Sequence, residues 1–511
     1  CCTTRGKLNG YMMVLLPLMF LSVLLYAVIY LVGKYNECYW KRRGVTLYSK
    51  NKITGVYWDF VFNDRPIFEA LWDIYKSYPD KSVVGVGFFL TPALYIRSSK
   101  NIQHVLATNF SCFNHRAVEA NSGDVLADNV LFMFGKRWKL MRQNLTPLFT
   151  SMKLRNMYYI IDRSARDFAS HLQQNPQMWP RDAYRTISTF CSAAIGAAVF
   201  GISPTSIFDS PFLEMAQKAF KPTFWSNTNL IISNVSLRLS KLLGIKLFKE
   251  HEKLFVGAIK QAIEQRKRDN VKKHDFADMC VSLQRAGSIA DEQLGLELEP
   301  TDELLAAQAF FFFIAGVEPT ASALFGTLFE LGRHPAHLRR LHDEIDEVFK
   351  KCNGQLTADV ITEMVFLDMV VCEALRLYPP VGYLKRLCVH DSVLPDGHVR
   401  VERGTRVFTP VFELHHDPKY FPQPELFEPE RFSPENKRNI PEFTYMPFGR
   451  GSRVCIGMKY ALLQVKAGLL HLLRHFSVTS CELPPGMRYS KQQLQVRLDN
   501  VDLEFIPRTN S

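Results

Sequence analysis

The amino-acid sequence predicts a mainly α-helical (α+β) body with small β-sheets, preceded by an N-terminal transmembrane helix. Three observations predict this class. Tyr11–Val32 carries no formal charge, the longest helical pattern of the body covers residues 301–332, and strand-like patterns are short, as at residues 82–97. Long linkers and internal repeats are absent from the sequence, so one large domain accounts for most of the 511 residues.

The uncharged run is long enough to cross a membrane. Its 22 residues would cover about 30 Å as a helix, the thickness of a bilayer core. A cleaved signal peptide and a buried helix are the alternatives, but the run is long for a signal sequence and no A-x-A-like site follows it. We therefore assign residues 1–33 to a membrane anchor, 34–75 to a linker and irregular lead-in, and 76–511 to the main domain.

Charge and cysteine content restrict the setting of the protein. The net charge of +12 allows nucleic acid, an anionic membrane or an acidic protein as partner, and no nucleic-acid-binding motif supports the first. More basic residues follow the apolar run than precede it, namely Lys34, Lys41, Arg42 and Arg43 against Arg5 and Lys7. This excess favours a cytosolic body. Eleven scattered cysteines indicate a reducing compartment.

The body reads as helices around a few strands. Residues 82–97 predict two short strands, and residues 100–106, 155–200 and 248–290 predict helices. The pattern at 301–332 begins after Pro300 with acidic residues in its first turn. Leu304–Val317 contains one polar residue in 14, which is too short for a membrane span and indicates a buried helix.

The most informative segment is Phe448–Gly457, in which Cys455 lies among three glycines. A lone cysteine is most often a small buried hydrophobic residue. Glycines at this density indicate a loop that approaches a ligand closely, and backbone N–H groups directed at the sulfur would favour a thiolate. A thiolate can serve as an axial ligand of haem iron.

This pattern, F-G-x-G-x-R-x-C-x-G, resembles the haem-ligand loop of the cytochrome P-450 superfamily and matches it at every position. The resemblance implies that haem b lies between two long helices with Cys455 as its iron ligand. It implies that Phe448 packs near the cysteine, that Arg453 pairs with a haem propionate, and that Gly457 lets the next helix approach the ring.

Further motifs of the family occur in the expected order. Trp138 and Arg142 form a W-x-x-x-R pattern on one helix face, where the alternative is a surface tryptophan and a solvated arginine. In the family both reach a propionate, and Arg386 matches a further propionate-binding arginine. Residues 112–128 and 204–247 would form the roof and the lid over the substrate, although ordinary core explains the second segment equally well.

A structural cluster is implied by an E-x-x-R pattern at Glu373 and Arg376 and by Arg431 of Pro429–Phe432. In the family these three charges are buried together and hold the segment beneath the cysteine loop. Breaking such a cluster costs about 3–5 kcal/mol.

The long helix departs from the family pattern in one place. It contains Ala315, expected at the haem, followed by Glu318, but Pro319 stands where the family has a threonine, and Thr320 follows. Glu318 and Thr320 are the candidates for proton delivery. We expect Pro319 to kink or widen the helix at Ala315, and a one-residue bulge would bring Thr320 towards the iron.

The resemblance implies a microsomal haem-thiolate monooxygenase that inserts one atom of dioxygen into an apolar small molecule, similar to insect enzymes that act on xenobiotics. Electrons would come from NADPH through NADPH-cytochrome P-450 reductase, with cytochrome b5 as a further candidate donor. The body would face the cytosol on the endoplasmic reticulum membrane. A haem-thiolate isomerase or dehydratase of oxygenated lipids, and a non-catalytic membrane haem protein, are the alternatives.

Two surfaces follow from this interpretation. The substrate would contact Phe311, Ile314 and Ala315 on the long helix and residues 381–385 after a Pro-Pro pair. The reductase would dock on five basic residues near the cysteine, Lys136, Arg137, Lys139, Arg450 and Lys459. Scattered solubilising charge is the alternative for these residues.

Overall fold

The computed structural model describes residues 2–118, 123–175, 182–201, 224–235, 237–269 and 271–508. Residues 204–223 of the predicted lid and 119–122 of the predicted roof lie outside these ranges. The helices are α1 (Cys2–Lys41), α2 (Tyr57–Phe62), α3 (Ile67–Ser77), α4 (Ser99–Gln103), α5 (Gly135–Leu145), α6 (Ser151–Gln174), α7 (Ala183–Phe200), α8 (Phe224–Val235), α9 (Leu237–Leu242), α10 (Lys249–Asp269), α11 (Phe276–Ala286), α12 (Asp302–Arg333), α13 (Pro335–Lys351), α14 (Ala358–Glu363), α15 (Val365–Leu377), α16 (Phe412–His415) and α17 (Met458–His475). The mainly α-helical prediction is confirmed.

The strands form one sheet of four and several pairs. They are β1 (Val83–Val86), β2 (Ala93–Ile96), β3 (Ile289–Asp291), β4 (Leu296–Leu298), β5 (Tyr383–Leu387), β6 (Ser392–Val393), β7 (Arg400–Val401), β8 (Arg406–Pro410), β9 (Phe476–Glu482), β10 (Arg488–Tyr489), β11 (Leu498–Asp499) and β12 (Val501–Pro507). The four-stranded sheet has the order β1-β2-β8-β5, and only its β2–β8 pair is parallel. The remaining described strands form antiparallel pairs.

Helix α12 is the core of the body. Within the described ranges, two helices are long and apolar enough to cross a membrane, α12 and the Met19–Lys41 part of α1. They differ in burial, because 72% of the apolar window of α12 is buried against 11% of that of α1. Helix α12 packs against α7, α10, α15 and α17, so its hydrophobic residues serve packing, whereas α1 leaves its apolar side chains exposed as a membrane span would.

The prediction that residues 44–75 are irregular is wrong in part, since α2 and most of α3 lie in this range. Helix α3 begins after Pro66 and buries Ile67, Phe68, Leu71 and Ile74, an i, i+3, i+4 pattern that faces a second hydrophobic cluster under the four-stranded sheet. The lead-in is therefore part of the packed domain.

The predicted charge cluster is present, with Glu373 and Arg376 fully buried and Arg431 nearly so. The Arg376 guanidinium donates to both carboxylate oxygens of Glu373 at 2.8 Å. It also donates to three backbone carbonyls, those of His415, Pro424 and Leu426. Arg431 reaches Glu373 at 3.4 Å. The network thus fixes α15 to the segment that leads to the cysteine loop.

His415 extends this network as a neutral imidazole. Its Nε2 accepts a hydrogen bond from the Met446 N–H at 2.9 Å, and its Nδ1 lies 3.2 Å from the carbonyl oxygen of Arg376. One ring nitrogen thus accepts while the other can donate, as only the neutral form allows. Burial lowers the pKa of His415 well below its usual value, and the charge of Arg376 lowers it further.

We expect Glu373→Ala to lower the free energy of unfolding by about 3–5 kcal/mol, because it leaves the buried Arg376 charge without its counterion. Burial raises the pKa of Glu373 in spite of its partners, which shows how costly charge is at this site. Denaturant titration of the full-length protein measures the loss.

The matched control is Arg155→Ala, since Arg155 pairs with Asp359 at 2.7 Å while both side chains are more than half exposed. This change should cost under about 1 kcal/mol. Equal losses in the two variants would contradict the structural role of Glu373.

Candidate active site

The Cys455 thiol faces an internal space. Its side chain is accessible to solvent, yet protein surrounds it almost completely. Both observations hold together only if the thiol opens into a cavity. The Cys455 N–H donates to the carbonyl of Phe448 at 2.9 Å, which closes the loop, and the Gly457 N–H bonds to the thiol. Burial raises the pKa of Cys455, and the Gly457 N–H and the guanidinium groups of Arg116 and Arg142 oppose that rise.

Two glycines make the loop possible. Gly449 and Gly451 have φ of +72° and +76°. A Cβ on Gly451 would lie 1.9 Å from the carbonyl oxygen of Leu106, whereas a Cβ on Gly449 would meet only Leu384 at 3.8 Å. The loop therefore packs closely against the backbone of residues 104–108. Gly451 allows this close approach because it has no side chain.

The opposite wall of the cavity belongs to α12. Along this mostly buried helix Phe311 and Ile314 are partly exposed and Ala315 is exposed. Phe149 connects the two walls, since its ring contacts Phe312 at 5.3 Å and lies 3.7 Å from the Cβ position of Gly457. Helix α12 and the cysteine loop thus both pack against Phe149, and the three predicted substrate residues are accessible side chains of α12.

The other segment predicted to contact the substrate, residues 381–385, has side chains on both faces of the four-stranded sheet. Val381 and Leu384 are partly exposed, while Tyr383 and Lys385 are buried. Because side chains alternate along β5, Tyr383 and Lys385 face the hydrophobic cluster under the sheet, and Leu384 and Arg386 face the opposite side.

Four arginines lie around the cysteine loop, of which Arg386 and Arg453 are buried and Arg116 and Arg142 are partly buried. Each donates to a backbone carbonyl: Arg116 to Arg453, Arg142 to Val454, Arg386 to Lys385 and Arg453 to Met133. The Arg453 guanidinium also lies 4.3 Å above the Trp138 ring. Three of the predicted residues, Arg142, Arg386 and Arg453, are thus brought together, and Arg116 is a member that sequence reasoning missed.

These arginines lack anionic partners. None forms an ion pair with a carboxylate among the residues that the structure describes. The Nε atoms of Arg116, Arg386 and Arg453 and the Nη1 of Arg453 are buried without a hydrogen-bond acceptor. Burial and the neighbouring guanidinium groups lower the pKa of Arg453 to about 8 and that of Arg386 to about 9. Buried charge of one sign is stable only with a counter-charge, so this cluster is built for an anion.

The residues present fit a haem. Its two propionates would supply the missing negative charge and accept from the unpartnered N–H groups. Cys455 and Ala315 would hold the ring. Trp138, Phe448 and the backbone of Gly457 would border it. In this arrangement Cys455 is the residue able to ligate the metal.

Helix α12 does not form the bulge that the sequence analysis expects at Pro319. It continues as a regular α-helix from Asp302 to Arg333, because packing on both sides holds it in spite of one lost backbone hydrogen bond. Thr320 is buried and lies about 140° round the helix from Ala315, whereas Glu318 lies about 60° from it. The condition on which the Thr320 prediction depends is therefore not met.

Glu318 belongs to a polar cluster at the edge of the cavity. The Tyr184 hydroxyl donates to Glu318 Oε1 at 2.8 Å and lies 3.0 Å from the Ser322 hydroxyl. Arg497 donates to the same carboxylate oxygen at 3.2 Å, and its guanidinium lies 3.9 Å above the Tyr184 ring. Burial raises the pKa of Glu318, and Arg497 and Tyr184 oppose that rise.

Sequence reasoning missed Arg116, Tyr184 and Arg497 because their partners come from distant parts of the chain. Arg116 lies in an aperiodic loop, and Arg497 is 179 residues from Glu318. Only the excess of basic residues could have indicated them, and it does not distinguish a buried arginine from a solvated one.

Comparison with known proteins agrees with this geometry. The family model described as Cytochrome P450 matches residues 56–503. The chain is 34% identical over 485 residues to cytochrome P450 6k1 of Blattella germanica, with 92% of both chains covered. It is 34% identical over 473 residues to cytochrome P450 6B5 of Papilio glaucus, with 90% of this chain and 98% of the relative covered. It is 31% identical over 480 residues to probable cytochrome P450 6a13 of Drosophila melanogaster, with 92% and 94% covered.

We expect Gly451→Ala to abolish the thiolate-ligated haem spectrum, because the new Cβ would collide with the Leu106 carbonyl and displace the loop. Gly449→Ala is the matched control, since it carries a similar φ but meets no close neighbour. The ferrous–CO spectrum of both variants measures the thiolate-ligated fraction. Equal loss in both would mean that φ strain, and not the contact with residues 104–108, decides the geometry of the loop.

Proposed function

Because the chain belongs to the cytochrome P450 family and is a haem-thiolate monooxygenase, we propose that Cys455 is the iron ligand and that Arg116, Arg142, Arg386 and Arg453 hold the propionates. The observation that carries this proposal is a cluster of four buried or partly buried arginines that have no carboxylate partner among the described residues and lie next to a cavity-facing thiol. Trp138 supports the cluster by stacking on Arg453.

The bound haem supplies the reaction with dioxygen, in which two electrons and two protons convert R–H to R–OH and water. The protein residues set its conditions. The Gly457 N–H and the nearby Arg116 and Arg142 charges stabilise the sulfur of Cys455 as a thiolate. The Phe448 carbonyl fixes the loop through the Cys455 N–H, so the sulfur is held before the haem binds.

Proton supply is proposed to run through Glu318. Its carboxyl is buried, and burial raises its pKa, so it is readier to hold a proton than an exposed glutamate. Arg497 contacts this carboxyl and is about a third exposed, so it joins Glu318 to the solvent side. Tyr184 and Ser322 keep the carboxyl in place. Thr320 stays a prediction that requires a local change in α12.

The substrate is an apolar small molecule, and we propose that Phe311, Ile314 and Ala315 contact it. These three side chains are accessible on a mostly buried helix, and two of them are large and apolar. The names of the relatives give no substrate. The xenobiotic substrate class is therefore proposed from the resemblance and from this apolar wall.

The membrane association indicated by α1 is proposed to be with the endoplasmic reticulum, with the body in the cytosol. The basic residues that follow the membrane span support this orientation. NADPH-cytochrome P450 reductase is the proposed electron donor, with cytochrome b5 as a second.

The proposed ligand is tested with full-length protein, a reductase, NADPH and an apolar ether substrate. We expect hydroxylated or dealkylated product and the ferrous–CO band typical of a thiolate. Cys455→Ala should abolish both, and Cys481→Ala should change neither, because Cys481 is exposed on β9. Thiolate character retained without Cys455 would assign the ligand to another cysteine. Rearrangement of a hydroperoxide without NADPH use would point to an isomerase.

The reductase surface is tested at Lys139. Its side chain is exposed and forms no hydrogen bond or ion pair among the described residues. Its neighbours on the proposed surface are engaged, since Arg137 pairs with Asp128, and Lys136 and Lys459 donate to Leu294 and Ser151. We expect Lys139→Glu to slow the first reduction step and to weaken its dependence on salt, by loss of electrostatic steering.

The control for this surface is Lys260→Glu, an exposed position on α10 that changes the net charge equally. Stopped-flow reduction at low and high ionic strength measures both variants. If Lys260→Glu slows reduction as much as Lys139→Glu, net charge and not this surface governs docking.

A further inference from the structure

The anchor helix continues without interruption into the body. From Met19 to Leu31 its large side chains are exposed, but from Gly33 onward one face becomes buried, at Gly33, Asn36 and Trp40. These positions follow i, i+3, i+7 spacing and therefore form one stripe of the helix. We call Gly33–Arg43 the docking segment, because this stripe packs on the body while the same helix continues towards the membrane.

Trp40 holds the docking segment in place. Its side chain is fully buried in the cluster that contains Val83, Leu94 and Ile96 of the four-stranded sheet. Its ring occupies the space above Gly85 so completely that a Cβ on Gly85 would lie 2.6 Å from the indole. A tryptophan buried in this way removes a large apolar area from water and therefore stabilises the docked position of the helix.

Polar contacts fix the segment at both ends. The Asn36 amide donates to the carbonyls of Lys52 at 2.8 Å and Phe89 at 2.9 Å. At the other end Glu402 accepts from the Tyr39 hydroxyl at 3.0 Å and from Arg43 at 2.6 Å. Contacts at both ends and a buried ring between them prevent the helix from rotating about its axis.

The chain has no free linker after the helix. The Val45 N–H donates to the carbonyl of Trp40, and Thr46 and Tyr48 then exchange hydrogen bonds with Gly85 on the outer edge of β1. Because α1 joins the sheet directly, the body cannot swing beneath the membrane. The angle of α1 in the bilayer therefore sets the angle of the body.

An apolar surface lies next to the point where α1 leaves the body. We call Trp58, Val61, Phe62 and Leu90 the membrane-proximal surface; all four are 43–66% exposed. The rings of Trp58 and Phe62 pack together at 4.4 Å. Leu90 follows Phe89, whose carbonyl binds Asn36, and Trp58 follows Ile53, which contacts Gly33. The surface therefore lies beside the point where α1 enters the body.

We propose that the docking segment fixes the body rigidly to the anchor and thereby holds the membrane-proximal surface in the lipid interface. The occupant of that surface is the bilayer, since aromatic side chains favour the interfacial region and α1 brings lipid to this place. The inference rests on membrane association through α1 and is independent of the haem chemistry.

The first experiment uses full-length haem-loaded protein in phosphatidylcholine vesicles, with a nitroxide label at Phe62→Cys and the exposed cysteines outside the haem loop replaced by serine. We expect relaxation by oxygen, which enters lipid, to exceed relaxation by a water-soluble nickel complex. Met152→Cys on α6, also an exposed apolar position, is the control and should respond mainly to nickel. A water-like response at residue 62 would overturn the lipid surface.

The second experiment adds Trp40→Ala to the residue 62 label. The protein should remain on the vesicles through α1 and keep its thiolate-type ferrous–CO spectrum, while the label loses its lipid response. If the label stays in lipid, the docking segment does not set the orientation, and that part of the proposal is wrong.

A second variant covers the case in which Trp40→Ala does not fold. Asn36→Leu with Glu402→Gln removes polar contacts and leaves the indole in place. We expect a more mobile label at residue 62 and an unchanged spectrum. An unchanged label mobility would overturn rigid coupling through these contacts. Vesicle sedimentation of the unaltered protein tests membrane association separately.

Discussion

The bidentate contact between Arg376 and Glu373 is the constraint on which the cysteine loop depends. A guanidinium has five N–H donors, and Arg376 uses all of them, two on the carboxylate and three on backbone carbonyls of the segment from His415 to Leu426. His415, held by the same arginine, binds the N–H of Met446, two residues before Phe448. The position of the thiol therefore depends on a helix that never contacts it.

Arg376 and the arginines near Cys455 differ in how many of their N–H groups are hydrogen-bonded within the protein. This difference distinguishes an arginine with a structural role from arginines that bind a ligand. Every N–H group of the Arg376 guanidinium has an acceptor within the protein. Arg453 makes one hydrogen bond and leaves two buried nitrogen atoms unpartnered, although burial is equally complete. Burial of Arg386 and Arg453 without a counter-charge costs solvation free energy, and a bound group of opposite charge would offset that cost. Binding of the cofactor and stability of the body are therefore coupled.

Sequence reasoning performs best where function depends on residues close together in the chain. The spacing around Cys455, the E-x-x-R pair and the buried helix α12 were all predictable because each rests on local geometry. Arg116 and the contact of Glu318 with Arg497 were not predictable, since no periodicity connects residues that meet only in the folded chain. The regular course of α12 through Pro319 was also not predictable, because tertiary packing outweighs the local preference of proline.

The lead-in is a second segment whose structure the sequence did not predict. Residues 44–75 lack a strong periodic pattern, so they read as irregular, although α2 and α3 are formed there. Trp40 gave no signal at all, because an aromatic residue after a membrane span is typical of the lipid interface. Its burial under the sheet depends on the absence of a side chain at Gly85, some 45 residues later.

The hydrogen bonds between Thr46, Tyr48 and Gly85 have a consequence for the solubility of the body. β1 is the edge of its sheet, and the chain that follows the anchor covers the backbone groups that this edge would otherwise offer to another strand. Edges left bare in this way promote association of one sheet with the next. The segment that connects the protein to its membrane thus also protects it from self-assembly, and removing the anchor back to residue 48 would remove that protection with it.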